Sequence, residues 1–336
     1  MFSTPSSPSI KPRRAAVWLV LAAAAWGLGT VISKRAVEEI PPLSLLVIQL
    51  TISVVALWIG RGLVGRGLFG RGLFGRASDP ADRPADSAAL DRLGLLNPGA
   101  SYALSLVGLT GITASLSVLL WAIEPVLILA IAWWWLREPV TPRLVVLSAT
   151  AVAGMALVVW SPGLGGQVVA ILATVAGIAC CAVYTVLARR RIGDVPSTLR
   201  IVLGQQAWAL GFAALLLGAS VLVDGVLGGT DAAGIGYSAM FTVTAPISVE
   251  AWASAVVSGV VYYALAYVFY LSGLRHVPAS RAAAAFYLIP LFGVAGGVAL
   301  LGDRLDPGQW LGAVVIVASV VAIARSGSTP KAAPAR

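Results

Sequence analysis

Ten mostly apolar runs divide this sequence, near residues 15–35, 43–60, 93–111, 114–136, 143–160, 166–188, 198–222, 250–273, 278–301 and 308–325. A bilayer's hydrocarbon core is about 30 Å thick and holds no water, so a spanning helix needs about 20 apolar residues and must satisfy its own backbone. Charged residues make up 11% of the chain and hydrophobic ones 59%, with a mean hydropathy of +0.91; those values exclude an ordinary soluble domain. The expectation is an all-α integral membrane protein with ten transmembrane helices.

The 336 residues carry 23 Lys and Arg against 14 Asp and Glu, a net charge of +9. Such an excess would suit nucleic acid if it formed one patch, but its placement follows alternate loops. With the N-terminus inside, the inner segments hold every basic residue except Lys34, Arg35 and Arg304. That bias places both termini in the cytoplasm and predicts a multi-pass protein of the cell membrane, with lipids and no nucleic acid as partners. Residues 1–14 and 326–336 are then cytoplasmic tails. The basic segment 61–92 is a cytoplasmic loop that opens on a five-residue repeat, with Arg61, Arg66, Arg71 and Arg76. It reads either as a lipid-interface segment or as a flexible linker.

The chain also resembles itself. An offset of 165 pairs Gly94 with Gly259, Tyr102 with Tyr267, Gly108 with Gly273, Pro125 with Pro290 and Glu138 with Asp303. A shorter offset relates TVISKRAVEEIPP at 30–42 to TVLARRRIGDVPS at 185–197. Residues 15–160 and 166–325 are thus two copies with five spans each. An odd number of spans makes the second copy enter from the opposite face, giving two five-helix inverted-topology repeats. Transporters use that arrangement to exchange inward- and outward-open states around a site near the midplane.

WGLGTVISK at 26–34, ASLSVLLWAIEPVLILAIAWWWLREPVTPRL from 114 and ASRAAAAFYLIPLFGVAGGVALLGDRLDPGQW from 279 resemble the drug/metabolite transporter superfamily, in its EamA-type ten-helix form. Shared features are a small-residue helix start, a mid-helix Pro, an acid just after the helix and a Gly-containing final helix. The chain departs from the family at Gln49, where an Arg is often found. The resemblance implies export or exchange of small metabolites, such as amino acids or drug-like compounds. A nucleotide-sugar exchanger is the alternative within the superfamily.

Glu124 is the sharpest site candidate. It lies about 15 Å into its run at 1.5 Å per residue, near mid-bilayer, where an acid costs roughly 2.5–3.5 kcal/mol and must face a cavity or a partner, or be protonated. Substrate binding, proton coupling and a purely structural hydrogen bond all fit it. Lys34 matches a Lys of the family's first helix and either faces the cavity or snorkels to the interface. Depth argues against its pairing with Glu124. Tyr263, Tyr267 and Tyr270 share a helical stripe, and Tyr102 is the repeat mate of Tyr267. Trp26, Gln49, Tyr184, Gln205 and Tyr287 complete the cavity candidates, while Cys180 and Cys181 read as small packing residues. Two GxxxG spacings, 293/297 and 308/312, fit helix packing within a monomer or between two copies.

The single histidine, His276, falls in a loop, no HExxH is present, and neither cysteine has metal-ligand spacing. No nucleophile–base pair emerges either, so neither an enzyme nor a cofactor is expected. A non-transporting membrane receptor or scaffold is the other alternative, but it gains little from inverted repeats.

Overall fold

In the computed structural model, residues 12–65, 87–136, 142–159, 167–189, 198–227, 248–274 and 288–326 are described, and among them there is no strand. In chain order the helices are α1 (Pro12–Val37), α2 (Pro42–Gly65), α3 (Ser87–Arg92), α4 (Ser101–Gly111), α5 (Ala114–Trp121), α6 (Glu124–Leu136) and α7 (Pro142–Val159). They continue with α8 (Val168–Arg189), α9 (Thr198–Leu227), α10 (Val249–Ser258), α11 (Ala266–Leu274), α12 (Leu288–Gly296) and α13 (Pro307–Ser326). Among the described residues, five helical runs are long and apolar enough to cross a membrane: Ala15–Val37, Pro42–Leu63, Val168–Ala188, Thr198–Leu222 and Val249–Gly273. Shorter apolar helical stretches occupy Ala114–Ile128, Val145–Val158, Ile289–Leu301 and Pro307–Ser319.

Helix starts follow the sequence. Proline opens α1, α2, α7 and α13, where its missing N–H costs nothing. Before α13 the Asp306 carboxylate accepts from the Gln309 N–H at 2.9 Å, and the Gln309 side chain accepts from the Asp306 N–H at 3.1 Å. This is a reciprocal capping box. Two oxygens cap α5: Thr113 Oγ1 accepts from the Leu116 N–H at 3.1 Å, and Asp303 Oδ2, from the far end of the chain, accepts from the Ser115 N–H at 2.9 Å. An Asp303→Ala variant loses one of these caps and is expected to cost about 1 kcal/mol. Thermal unfolding in detergent reads that loss, and an unchanged Tm would show that the cap adds nothing.

Several spans are less regular than their apolar runs predict. The run 114–136 breaks between Trp121 and Glu124, where the N–H groups of Ala122 and Ile123 bond three residues back, to Leu119 and Leu120. Pro125 has no N–H to offer the carbonyl of Trp121, so the α-helical ladder cannot pass through it. Asn97 is extended (φ −144°, ψ 118°) inside the turn Leu96–Ala100, the conformation favoured before a proline. Gly259–Leu265 and Gly297–Leu301 are π-helical. The segment 61–92, expected as a loop, is helical at both ends: α2 runs to Gly65, and α3 begins at Ser87. The rest of that segment lies outside the described residues.

Packing repeats as the sequence does. The α1 helix lies against α10 and α11, and α8 lies against α4; α1 also packs on α12 as α8 packs on α6. The α2 helix meets the Gly259–Leu265 turn, and α9 meets the Leu96–Ala100 turn. Repeat-mate glycines occupy matching contacts: a Cβ at Gly94 would strike the Gln205 carbonyl, and one at Gly259 would strike that of Gln49. Likewise Gly108 faces Ala170 and Thr174, whereas Gly273 faces Ala15 and Leu19. In the GxxxG pairs, Gly293 rests on Val118, Gly297 on Ser115 and Gly312 on Gly154, all contacts within the chain. Large apolar side chains such as Trp58, Leu215 and Val314 are exposed, as suits helices facing lipid.

Candidate functional site

The break at Ala122–Ile123 makes Glu124 the first residue of α6. The next N–H groups, on Val126 and Leu127, already donate to the Ile123 carbonyl at 2.9 and 3.2 Å, so the carboxylate's partners come from a neighbouring helix. The side chain is half-buried. Its Oε1 accepts from the Cys181 Sγ at 3.3 Å, and the Thr185 hydroxyl is a second hydrogen-bond partner. Both donors come from α8, one turn apart.

A cluster of rings packs against Trp121, just before this break. Tyr102 of α4 stacks on Trp121 with centroids 6.0 Å apart, and it meets Tyr262, Tyr263 and Tyr267 at 5.0, 5.1 and 6.5 Å. Trp26 of α1 packs edge-on to Tyr267 at 5.5 Å and tilted against Tyr270 at 5.4 Å. Tyr267 donates to Asn97 Oδ1 at 3.1 Å, the residue that the kink before Pro98 turns out of the helix. Tyr262 receives a hydrogen bond from Thr30 at 3.5 Å. The result is a cluster of aromatic rings and hydroxyls that reaches, through Trp121, the helix break just before Glu124.

Of the residues singled out in the sequence, Trp26, Tyr102, Tyr263 and Tyr267 meet in this cluster, and Glu124 lies three residues past its Trp121. Tyr184 and Gln205 are bonded to each other, with Tyr184 donating to Oε1 at 3.0 Å, and Gln205 Nε2 donates to the Leu90 carbonyl at 3.3 Å. Gln49 is buried, and its Nε2 donates to Ser33 at 3.0 Å and Ser258 at 2.6 Å. It links α1, α2 and α10. Lys34 lies at one end of the bundle, donating to the Leu109 carbonyl at 3.0 Å, 4.0 Å from Glu38. That is a cation on a helix C-terminus. Tyr287 lies outside the described residues. Sequence reasoning missed Thr30, Asn97, Trp121, Cys181, Thr185 and Tyr262. Cys181, read as packing, instead donates to Glu124. One signal was present: Thr30 and Thr185 are repeat mates, and each reaches a central polar group.

The comparisons agree with the duplicated architecture. No curated protein matches the sequence. A solved crystal structure of a protein is similar over 94% of this chain and 99% of its own, with a TM-score of 0.59 and 18% identity, a likeness of fold alone. The model of the EamA-like transporter family matches twice, over residues 13–160 and 168–325. Between them these two matches cover nearly the whole sequence, one on each copy of the internal repeat, and the chain belongs to the EamA-like transporter family.

Proposed function

We propose that this protein is a ten-span transporter that exports or exchanges small solutes across the cell membrane, both termini cytoplasmic, by rocking two inverted five-helix repeats about the Glu124 site. One observation carries the reading: the aromatic cluster and the Glu124 contact each draw on both copies of the repeat, Trp26, Tyr102 and Glu124 from one and Cys181, Tyr262 and Tyr267 from the other. Because α1 packs on α10 and α11 as α8 packs on α4, exchanging the two packings would close one face while opening the other. Proton coupling through Glu124 belongs to the same reading. A nucleotide-sugar exchanger would need basic groups near the rings, and a receptor would need only one accessible face.

At one end the copies are tied together. Arg35 pairs with Glu250 and donates to the Leu300 carbonyl at 3.0 Å, and Glu39 accepts from Ser248 N and Oγ at 3.1 and 2.7 Å. These contacts must part when that end opens.

Single cysteines at Ile123 and Thr185, in a background lacking Cys180 and Cys181, test the reading with an impermeant thiol reagent. Labelling is expected from both membrane faces. Labelling from one face alone would refute alternating access and favour a receptor. Arg35→Ala is expected to raise labelling only modestly. Arg35 and Glu250 are 44% and 63% exposed, and such pairs contribute about 0.2–1 kcal/mol, which moves a population about fivefold at most.

A further inference from the structure

We infer that Thr30 and Thr185 are paired positioning residues. Each closes one end of a hydrogen-bonded chain that runs between the two copies, Thr30 in the present structure and Thr185 in the state that opens the Arg35 end. The inference rests on the transporter reading and names residues that set its balance.

The pattern of the chain carries it. Thr30 donates to Tyr262 at 3.5 Å, Tyr102 is hydrogen-bonded to both Tyr262 and Tyr267, and Tyr267 donates to Asn97 at 3.1 Å. Thr30, Tyr102 and Asn97 belong to the first copy and Tyr262 and Tyr267 to the second, so every link crosses between copies. The offset of 165 that pairs Tyr102 with Tyr267 also pairs Asn97 with Tyr262, and Thr30 is the mate of Thr185. Exchanging the roles of the copies therefore turns the inner links into one another and leaves them intact. Only the ends differ. The Thr30–Tyr262 contact becomes Thr185–Asn97, whereas in the present structure Thr185 is a partner of Glu124.

The parts for that exchange are in place. The α1 helix packs on the Gly259–Leu265 turn, which holds Tyr262, as α8 packs on the Leu96–Ala100 turn, which holds Asn97. An amide oxygen accepts twice, and Tyr267 fills one place on Asn97 Oδ1. Thr30, Asn97 and Tyr262 are buried, where bulk water does not replace a lost partner. Thr30 has a second acceptor in the Trp26 carbonyl at 3.1 Å, so it can release Tyr262 without leaving its hydroxyl unpaired. Its bond to Tyr262 is long, as suits a contact made in one state only.

Ile123→Cys, in the background without Cys180 and Cys181, reads the balance as the ratio of labelling rates from the two membrane faces. Thr30→Val is expected to raise the share labelled from the Arg35 end about two- to fivefold, and Thr30→Ser, which keeps the hydroxyl, to restore the ratio. Tyr262→Phe should act as Thr30→Val does. Asn97→Leu, at the repeat mate of Tyr262, should move the ratio the other way, because it removes the acceptor that only the reversed state offers to Thr185. Loss of packing alone would not give two repeat mates opposite signs.

An unchanged ratio in Thr30→Val overturns the assignment, as does a shift of Tyr262→Phe and Asn97→Leu in the same direction. Thr30→Val trades one hydroxyl for a methyl, so it decides the matter even where Asn97→Leu does not fold. Such failures leave the transporter reading standing while Ile123→Cys itself labels from both faces. Labelling of Ile123→Cys from one face alone sinks that reading, and this inference with it.

Discussion

Glu124→Gln is expected to reduce pH-gradient-driven solute movement in proteoliposomes to the level of protein-free vesicles, while the bundle stays folded. Glutamine keeps the length of the side chain and an oxygen that can accept from Cys181, as the carboxylate does at 3.3 Å. What it loses is the capacity to take up and release a proton. Placing an acid at mid-bilayer costs roughly 2.5–3.5 kcal/mol against a neutral residue, so the amide should be neutral or favourable for stability. Loss of coupled transport with an unchanged Tm would separate the two roles. Unchanged transport would rule out coupling through this residue, and a large fall in Tm would mark the carboxylate as structural.

The same residue shows what a sequence can and cannot convey. The apolar runs were legible because lipid leaves so few alternatives to a helix, and the repeat was legible because paired glycines and prolines keep their spacing. Proline at 125 marked a disturbance, yet a run of twenty apolar residues does not say where the ladder breaks. The break puts Glu124 at a helix start, and its hydrogen-bond partners are Cys181 and Thr185 of α8. Cys181 and Thr185 escaped notice for a different reason. On a helix a buried cysteine is indistinguishable from packing, and a threonine can spend its hydroxyl on its own backbone, as Thr174 does on Ala170 at 2.9 Å. Only the approach of α8 to α6 gives them a partner. Lys34 could be read two ways from depth alone, and the nearby end of α4 determines its contact.

Close helix contact supplies the second large effect. Gly94→Ala is expected to destabilise the protein by about 1–3 kcal/mol, because overpacking against a rigid neighbour is relieved only by moving backbone. The three nearest atoms to the new Cβ all belong to the Gln205 main chain. Its repeat mate should respond less. At Gly259 the nearest atom is the Gln49 carbonyl at 2.9 Å, but the next two are side-chain atoms of Ile52 at 3.0 Å, and alanine regains up to about 1 kcal/mol of helix propensity. The same ranking holds beyond the kinks. Gly108 faces the Ala170 carbonyl at 2.6 Å, whereas Gly273 faces the movable Leu19 side chain, so Gly108→Ala should cost more than Gly273→Ala. Gly211 and Gly218, in α9 with open space around them, are the controls, expected to be neutral or slightly stabilised by alanine. Thermal unfolding of the six variants gives the order directly, and a Gly94→Ala Tm at or above that of Gly211→Ala would refute close approach as the reason for glycine there. The contacts also hold the site: Gly94 and Gly259 seat the segments leading to Tyr102 and Tyr267 against α9 and α2. A Gly94→Ala protein that still folds should therefore bind solute more weakly, though position 94 touches none of the rings.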